Sequence, residues 1–187
     1  LPVDVVAIER RVVGPTLGQA AIDASFQAAV IGIAITGAFI LFAYRMLGVV
    51  AAIALAGYAL IAYGVLTALG ATLTLPGLAG FVLAIGMAVD ANVLIFERIR
   101  EETRLGKTPL SAVDGGYRHA MRTIIDANLT TLIAAVLLYQ FGTGPIRGFA
   151  VTLSIGLVTS MFTAIMVTRL MVVTWLRAGR TKKTLPI

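Results

Sequence analysis

Long apolar runs separated by short polar intervals dominate the chain. No acid or base lies between Phe26 and Leu41, or between Met46 and Leu69. A third run, Leu78 to Phe96, carries one charge, Asp90; a fourth, Ile124 to Phe141, holds Asp126 and Gln140 near its ends; the last covers 148–176. A helix needs about 20 apolar residues to cross about 30 Å of hydrocarbon. Within lipid, its backbone polar groups must be satisfied internally. The pattern therefore predicts an all-α membrane protein, a polytopic helix bundle of about five spans at 22–43, 48–69, 78–97, 124–141 and 148–176. Gly48, Gly70, Pro76-Gly77 and the run Gly142 to Pro145 punctuate them as turn residues should.

Composition agrees. Of 187 residues, 59% are hydrophobic and 13% charged, against roughly 45–50% and about 25% in soluble domains. There is no cysteine and one histidine, His119, so disulfides, thiol metal sites and His-built metal centres are not expected. No cofactor is expected either.

The net charge of +6 raises the question of nucleic acid, and the placement of the bases answers it. Five spans put 44–47, 98–123 and 177–187 on one side. That side holds Arg45, Arg98, Arg100, Arg104, Lys107, Arg118, Arg122, Arg177, Arg180, Lys182 and Lys183, 11 in all, against Arg10, Arg11 and Arg147 on the other. Arg169, in the last turns of span five, can snorkel toward the richer side. This is the positive-inside asymmetry. It predicts an extracytoplasmic N-terminus, a cytoplasmic C-terminus, lipid as the partner of the basic side and no nucleic acid.

Residues 1–20 read as the tail of an extracytoplasmic region: a β-branched strand, then Gly14-Pro15 and a helix start. Asp4 and Glu9 lie where a signal peptide would have its charged and apolar regions. With no start methionine, the expectation is a piece of a longer protein. The bundle itself occupies 21–177, and 178–187 forms a basic cytoplasmic tail. The interval 98–123 is long for a turn. Thr108-Pro109 opens it as a helix start, and Leu110, Val113, Tyr117, Met121 and Ile124 recur at helical spacing. The expectation is an amphipathic helix over about 108–122, lying on the cytoplasmic surface and turning into span four. Arg118 and Arg122 then read as lipid-facing anchors, and Glu97-Arg98 and Glu101-Glu102 as a solvated junction.

Asp90 is too deep in its span to snorkel. A carboxylate there is costly unless paired, solvated or protonated, which marks it as a functional candidate. The alternative is a packing role through a base or hydroxyl. Helical spacing places Gly86, Asp90, Leu94 and Glu97 on one face and Ala84, Ala88 and Asn92 on another, with the small residues admitting a close neighbour. A second Asp-Ala-Asn, at Asp126 to Asn128, follows 36 residues later. Asp126 reads equally as a partner of Asp90 or as a favourable first-turn acid. Thr130, Thr131, Ser154, Thr159, Ser160 and Thr163 offer hydroxyls, which mid-membrane most often bond their own preceding carbonyls. Asn92, Arg122, Asp126, Asn128, Thr130 and Thr131 form a candidate polar network around Asp90. Gly156, Ser160 and Ala164 form a small-residue stripe. Gly86, Gly156 and Ser160 are the expected helix-packing positions.

Several stretches resemble the bacterial SecD protein-export family. They are Gly86 to Glu102 (GMAVDANVLIFERIREE), Arg122 to Ala135 (RTIIDANLTTLIAA), Phe141 to Gly156 (FGTGPIRGFAVTLSIG) and Arg11 to Gly18 (RVVGPTLG). The sister SecF subunits carry a paired acid in place of Asp-Ala-Asn. The resemblance implies half of a resistance-nodulation-division transporter fold, in the bacterial cytoplasmic (inner) membrane, with SecF and the SecYEG channel as partners. It also implies that the proton-motive force, without ATP, moves an extracytoplasmic domain that draws the translocating preprotein outward. The family's first helix and large extracytoplasmic domain would precede Leu1. Its intramembrane aspartate matches Asp90, and Arg122, Asp126 and Asn128 fall on motif positions. Rival readings are a proton-driven exporter of small molecules or lipids on the same fold, and an intramembrane aspartyl protease using Asp90 with Asp126. The protease lacks its Gly-x-Gly-Asp wording here.

Overall fold

The computed structural model describes residues 15–71 and 74–178 and is helical nearly throughout. The expected strand and the basic tail beyond 178 lie outside the described residues. Helix α1 runs Pro15–Ala68, α2 Leu75–Arg104, α3 Pro109–Phe141 and α4 Gly144–Phe162; a π-helical segment, Thr163–Thr168, then leads without interruption into α5, Arg169–Ala178.

Among the described residues, four continuous helical stretches have the length and apolarity to cross a membrane, rather than the five expected. The difference lies in α1, where the first two expected spans join without a loop. At Arg45 the backbone leaves the helical region (φ 48°, ψ −113°), and the chain folds back on itself. A Cβ added to Gly48 would run into the backbone oxygen of Ile40, so only glycine admits the turn this tightly. Gly37 and Ile40 of the first arm line a small cavity with Ala52, Leu55 and Ala56 of the second. The break falls inside 44–47, where the polar interval predicted it.

In lipid, helices gain little from the hydrophobic effect on one another and depend on close van der Waals packing. The crossing of α2 and α4 shows how that is met. Cβ atoms at Gly80 and Gly148 would lie within 2.7 Å of Thr152 Oγ1 and 2.5 Å of Thr74 Oγ1, and one at Gly156 would collide with the Ala84 methyl. Thr152 Oγ1 also donates across the crossing to the Gly77 carbonyl (2.9 Å). The Thr74 hydroxyl caps α2 by accepting from Gly77 N (3.1 Å), a bond that satisfies one of the free first-turn amides. The second arm of α1 packs on this pair through Leu47, Tyr58 and Ala62, all buried. The first arm leaves Phe26, Ile35, Phe39 and Phe42 exposed.

The surface helix expected over 108–122 and span four form one helix, α3, with no turn between them. Its apolar side is not spread on lipid alone: Ala112, Val113, Tyr117 and Ala120 are buried. Gly116 lets α3 press on the end of α2, since a Cβ there would stand 2.7 Å from the Ile99 amide nitrogen.

Candidate functional site

Asp90 projects from α2 into a cavity of about 420 Å³ between α2 and α3. Met87, Leu94 and Glu97 line it from α2, and Thr123, Ile124, Ala127, Asn128 and Thr131 from α3. Among the described residues Asp90 makes no ion pair. It shares the cavity with the Glu97 carboxylate, an amide, two hydroxyls and apolar side chains. Glu97 lies two turns further along α2, where its Oε1 accepts from the Tyr44 hydroxyl (2.8 Å) and from Arg100 Nη1 (3.4 Å). That contact ties the α1 turn to the same end of the bundle as the end of α2.

The two Asp-Ala-Asn motifs fold alike locally. Each asparagine is buried and donates to the carbonyl one turn back, Asn92 to Ala88 (3.1 Å) and Asn128 to Ile124 (2.7 Å). Their neighbours differ. Asn128 joins the Asp90 cavity, while Asn92 turns to the opposite side of α2, where its Oδ1 accepts from Thr168 Oγ1 (3.0 Å). Asp126 and Arg122 are exposed and do not line the cavity, so the two acids are not brought together there. Thr130 and Thr131 donate to Asp126 O (2.8 Å) and Ala127 O (3.1 Å), and Thr131 also borders the cavity. The hydroxyls of Ser154, Thr159, Ser160 and Thr163 likewise bond carbonyls of their own helix.

Of the three expected packing residues, Gly156 and Ser160 lie in the core, Ser160 buried and Gly156 against Ala84. Gly86 does not pack: it is exposed, and a Cβ there would meet nothing within 4 Å. It lies one turn before Asp90, which is also exposed although it lines the cavity.

Three features escaped the sequence reading. Glu102 is not in a solvated junction; it is 5% exposed, paired with Lys107 and with His119 Nδ1 (2.8 Å). Gly115 makes room for it, since a Cβ there would lie 3.0 Å from the carboxyl carbon. The Gly115-Gly116 pair inside an amphipathic helix was the available signal. Arg169 does not simply reach for the lipid surface: it donates to Asp114 Oδ1 (2.8 Å) and lies over the Tyr117 ring. Thr168, fully buried, holds Asn92.

These features define a polytopic helical membrane protein with an acid, Asp90, facing a mostly apolar cavity between two of its apolar helices. Comparison with known proteins narrows the class. The family model "Protein export membrane protein SecD/SecF, C-terminal" matches residues 2–178, and the chain belongs to that family. It is 54% identical over all 187 residues to the protein translocase subunit SecD of Magnetococcus marinus, 35% of whose length it covers. It is 58% identical over 169 residues, 90% of this chain and 33% of the relative, to that of Desulfurispirillum indicum. The chain thus spans about a third of the length of these relatives. Among solved structures, SecDF, described as a translocon-associated membrane protein from Thermus thermophilus, superimposes with a TM-score of 0.86 at 47% identity. That match covers 94% of this chain and 24% of the other.

Proposed function

We propose that this chain is the membrane part of a SecD subunit, which takes up protons from outside the cell to promote preprotein translocation across the bacterial cytoplasmic membrane. Its partners are SecF and the SecYEG channel. Asp90 is the proton-carrying group, and residues 1–20 face outward while the end of the chain faces the cytoplasm. The observation that carries this reading is an acid lining a mostly apolar cavity between two spanning helices, with no ion pair among the described residues to neutralise it. The neutral carboxyl tolerates close packing of α2 on α3, whereas the ionised one demands water or a cation. That differential preference is what a two-state switch needs. One charge crossing 100 mV gains about 2.3 kcal/mol, so one or two protons suffice to reverse an equilibrium of a few kcal/mol. Asn128, Thr123 and Thr131 supply the polar lining. The protease reading loses its dyad, since Asp126 does not line the Asp90 cavity.

The test is Asp90→Asn in the full-length subunit. It is expected to insert and accumulate normally while losing proton-dependent export. Normal export at parental abundance would contradict the proposal.

A further inference from the structure

Two consecutive residues at the end of the π-helical segment bind the two helices that enclose the Asp90 cavity. Thr168 Oγ1 donates to Asn92 Oδ1 on α2 (3.0 Å), and Arg169 Nη2 donates to Asp114 Oδ1 on α3 (2.8 Å). We propose that Thr168 and Arg169 form a strap that sets the separation of α2 and α3 and transmits the state of Asp90 to α5. The inference rests on the proposed role of Asp90.

The geometry of α2 links the two ends of the strap. Asp90 and Asn92 are two residues apart, about 200° around a helix of 3.6 residues per turn, so the carboxyl faces α3 and the amide faces the π segment. Any shift of α2 driven at Asp90 is felt at Asn92. The hydroxyl of Thr168 has a single proton and two acceptors, Asn92 Oδ1 and the carbonyl of Thr163 at 3.2 Å. That carbonyl is five residues back, one further than in an α-helix, so it is within reach only while the π turn persists. Losing Asn92 leaves the hydroxyl a local partner, which makes the cross-helix bond exchangeable without stranding a buried polar group. The Asn92 amide donates separately to Ala88 O (3.1 Å). The second limb is fixed by charge: Arg169 holds Asp114 and stacks on Tyr117 of α3. Resolving the π turn into regular helix would shift α5 by about one residue, ~1.5 Å along its axis and ~100° around it, and so displace Arg169 relative to Asp114. π turns of this kind recur at functional positions in helices.

The test uses the full-length subunit assembled with its partner in membrane vesicles. A cysteine replaces Ala127, which lines the cavity, and its modification by a small methanethiosulfonate is timed with and without an imposed proton gradient. The parent is expected to change rate at least threefold when the gradient is applied. Thr168→Val, matched in shape, is expected to lose that change at normal abundance, and Thr168→Ser to restore it. Asp114→Asn, at a half-exposed position and so harmless to folding, is expected to lose it through the other limb and decides the matter should Thr168→Val fail to accumulate. A full gradient response in Thr168→Val or in Asp114→Asn overturns the strap. Asp90→Asn separates the two claims. If it is silent while a strap variant responds, the strap alone fails; if it responds like the parent, the role of Asp90 fails and the strap with it.

Discussion

Asp90 and Asn92 sit two positions apart and do different work because a helix presents them to different neighbours. The acid meets a mostly apolar cavity with a few polar groups in its wall, and the amide meets a buried threonine. Small residues obey the same logic. Gly156 faces Ala84 at the tightest crossing, so Gly156→Leu overpacks it and should destabilise the folded bundle by about 1–3 kcal/mol. Gly86 faces open space, and Gly86→Ala should not destabilise the bundle and should gain up to about 1 kcal/mol from helix propensity. Equilibrium unfolding in detergent micelles checks both, and equal effects would contradict the packing described. At this scale the sequence was half legible. The depth of Asp90 and the smallness of Gly86 and Gly156 are visible in the pattern. Which helix each residue faces is not, because a stripe of small residues says that something can approach but not from which side. Glu102 was misread for a related reason. An acid run beside arginines looks solvated until Gly115 brings α3 down over it.

At the scale of elements, apolar run length was enough to mark the long apolar helices, because a bilayer sets a minimum length for each, but it divided in two what the described residues show as one helix, α1. The join at 44–47 was legible as a polar interval but not as a loop-free fold-back, since that depends on the positive φ of Arg45 and the bare backbone of Gly48. Gly48→Leu should force the arms of α1 apart. Cysteines at positions 37 and 56, which border one small cavity, should react with a short bifunctional thiol reagent in the parent and fail to do so in that variant. Undiminished cross-linking would show that the glycine is dispensable. The π segment left no mark in the pattern. One extra residue per turn alters no composition and no apolar period long enough to detect over Thr163–Thr168. The continuity of α3 was missed because an amphipathic stretch and a spanning stretch differ in what covers them, not in backbone.

For the whole molecule, the contacts of Tyr44 with Glu97, Glu102 with His119 and Arg169 with Asp114 gather the α1 turn, the α2–α3 junction and the start of α5 at one end. The starts of α2 and α4 meet at the other, where Gly148 abuts Thr74. The basic excess of the first end should place it in the cytoplasm. A membrane-impermeant thiol reagent added outside intact cells should label a cysteine at Gly144 and spare one at Leu110, and the reverse pattern would invert the proposed direction of proton flow. That flow depends on Asp90 changing its protonation under a gradient. Infrared difference spectroscopy on the assembled subunits in vesicles reads this most directly. The account predicts a carboxylic-acid C=O band that rises when the outside is acidified, falls when the gradient is collapsed and is missing in Asp90→Asn. A band that is identical in Asp90→Asn, or no gradient-dependent carboxyl band at all, would contradict it.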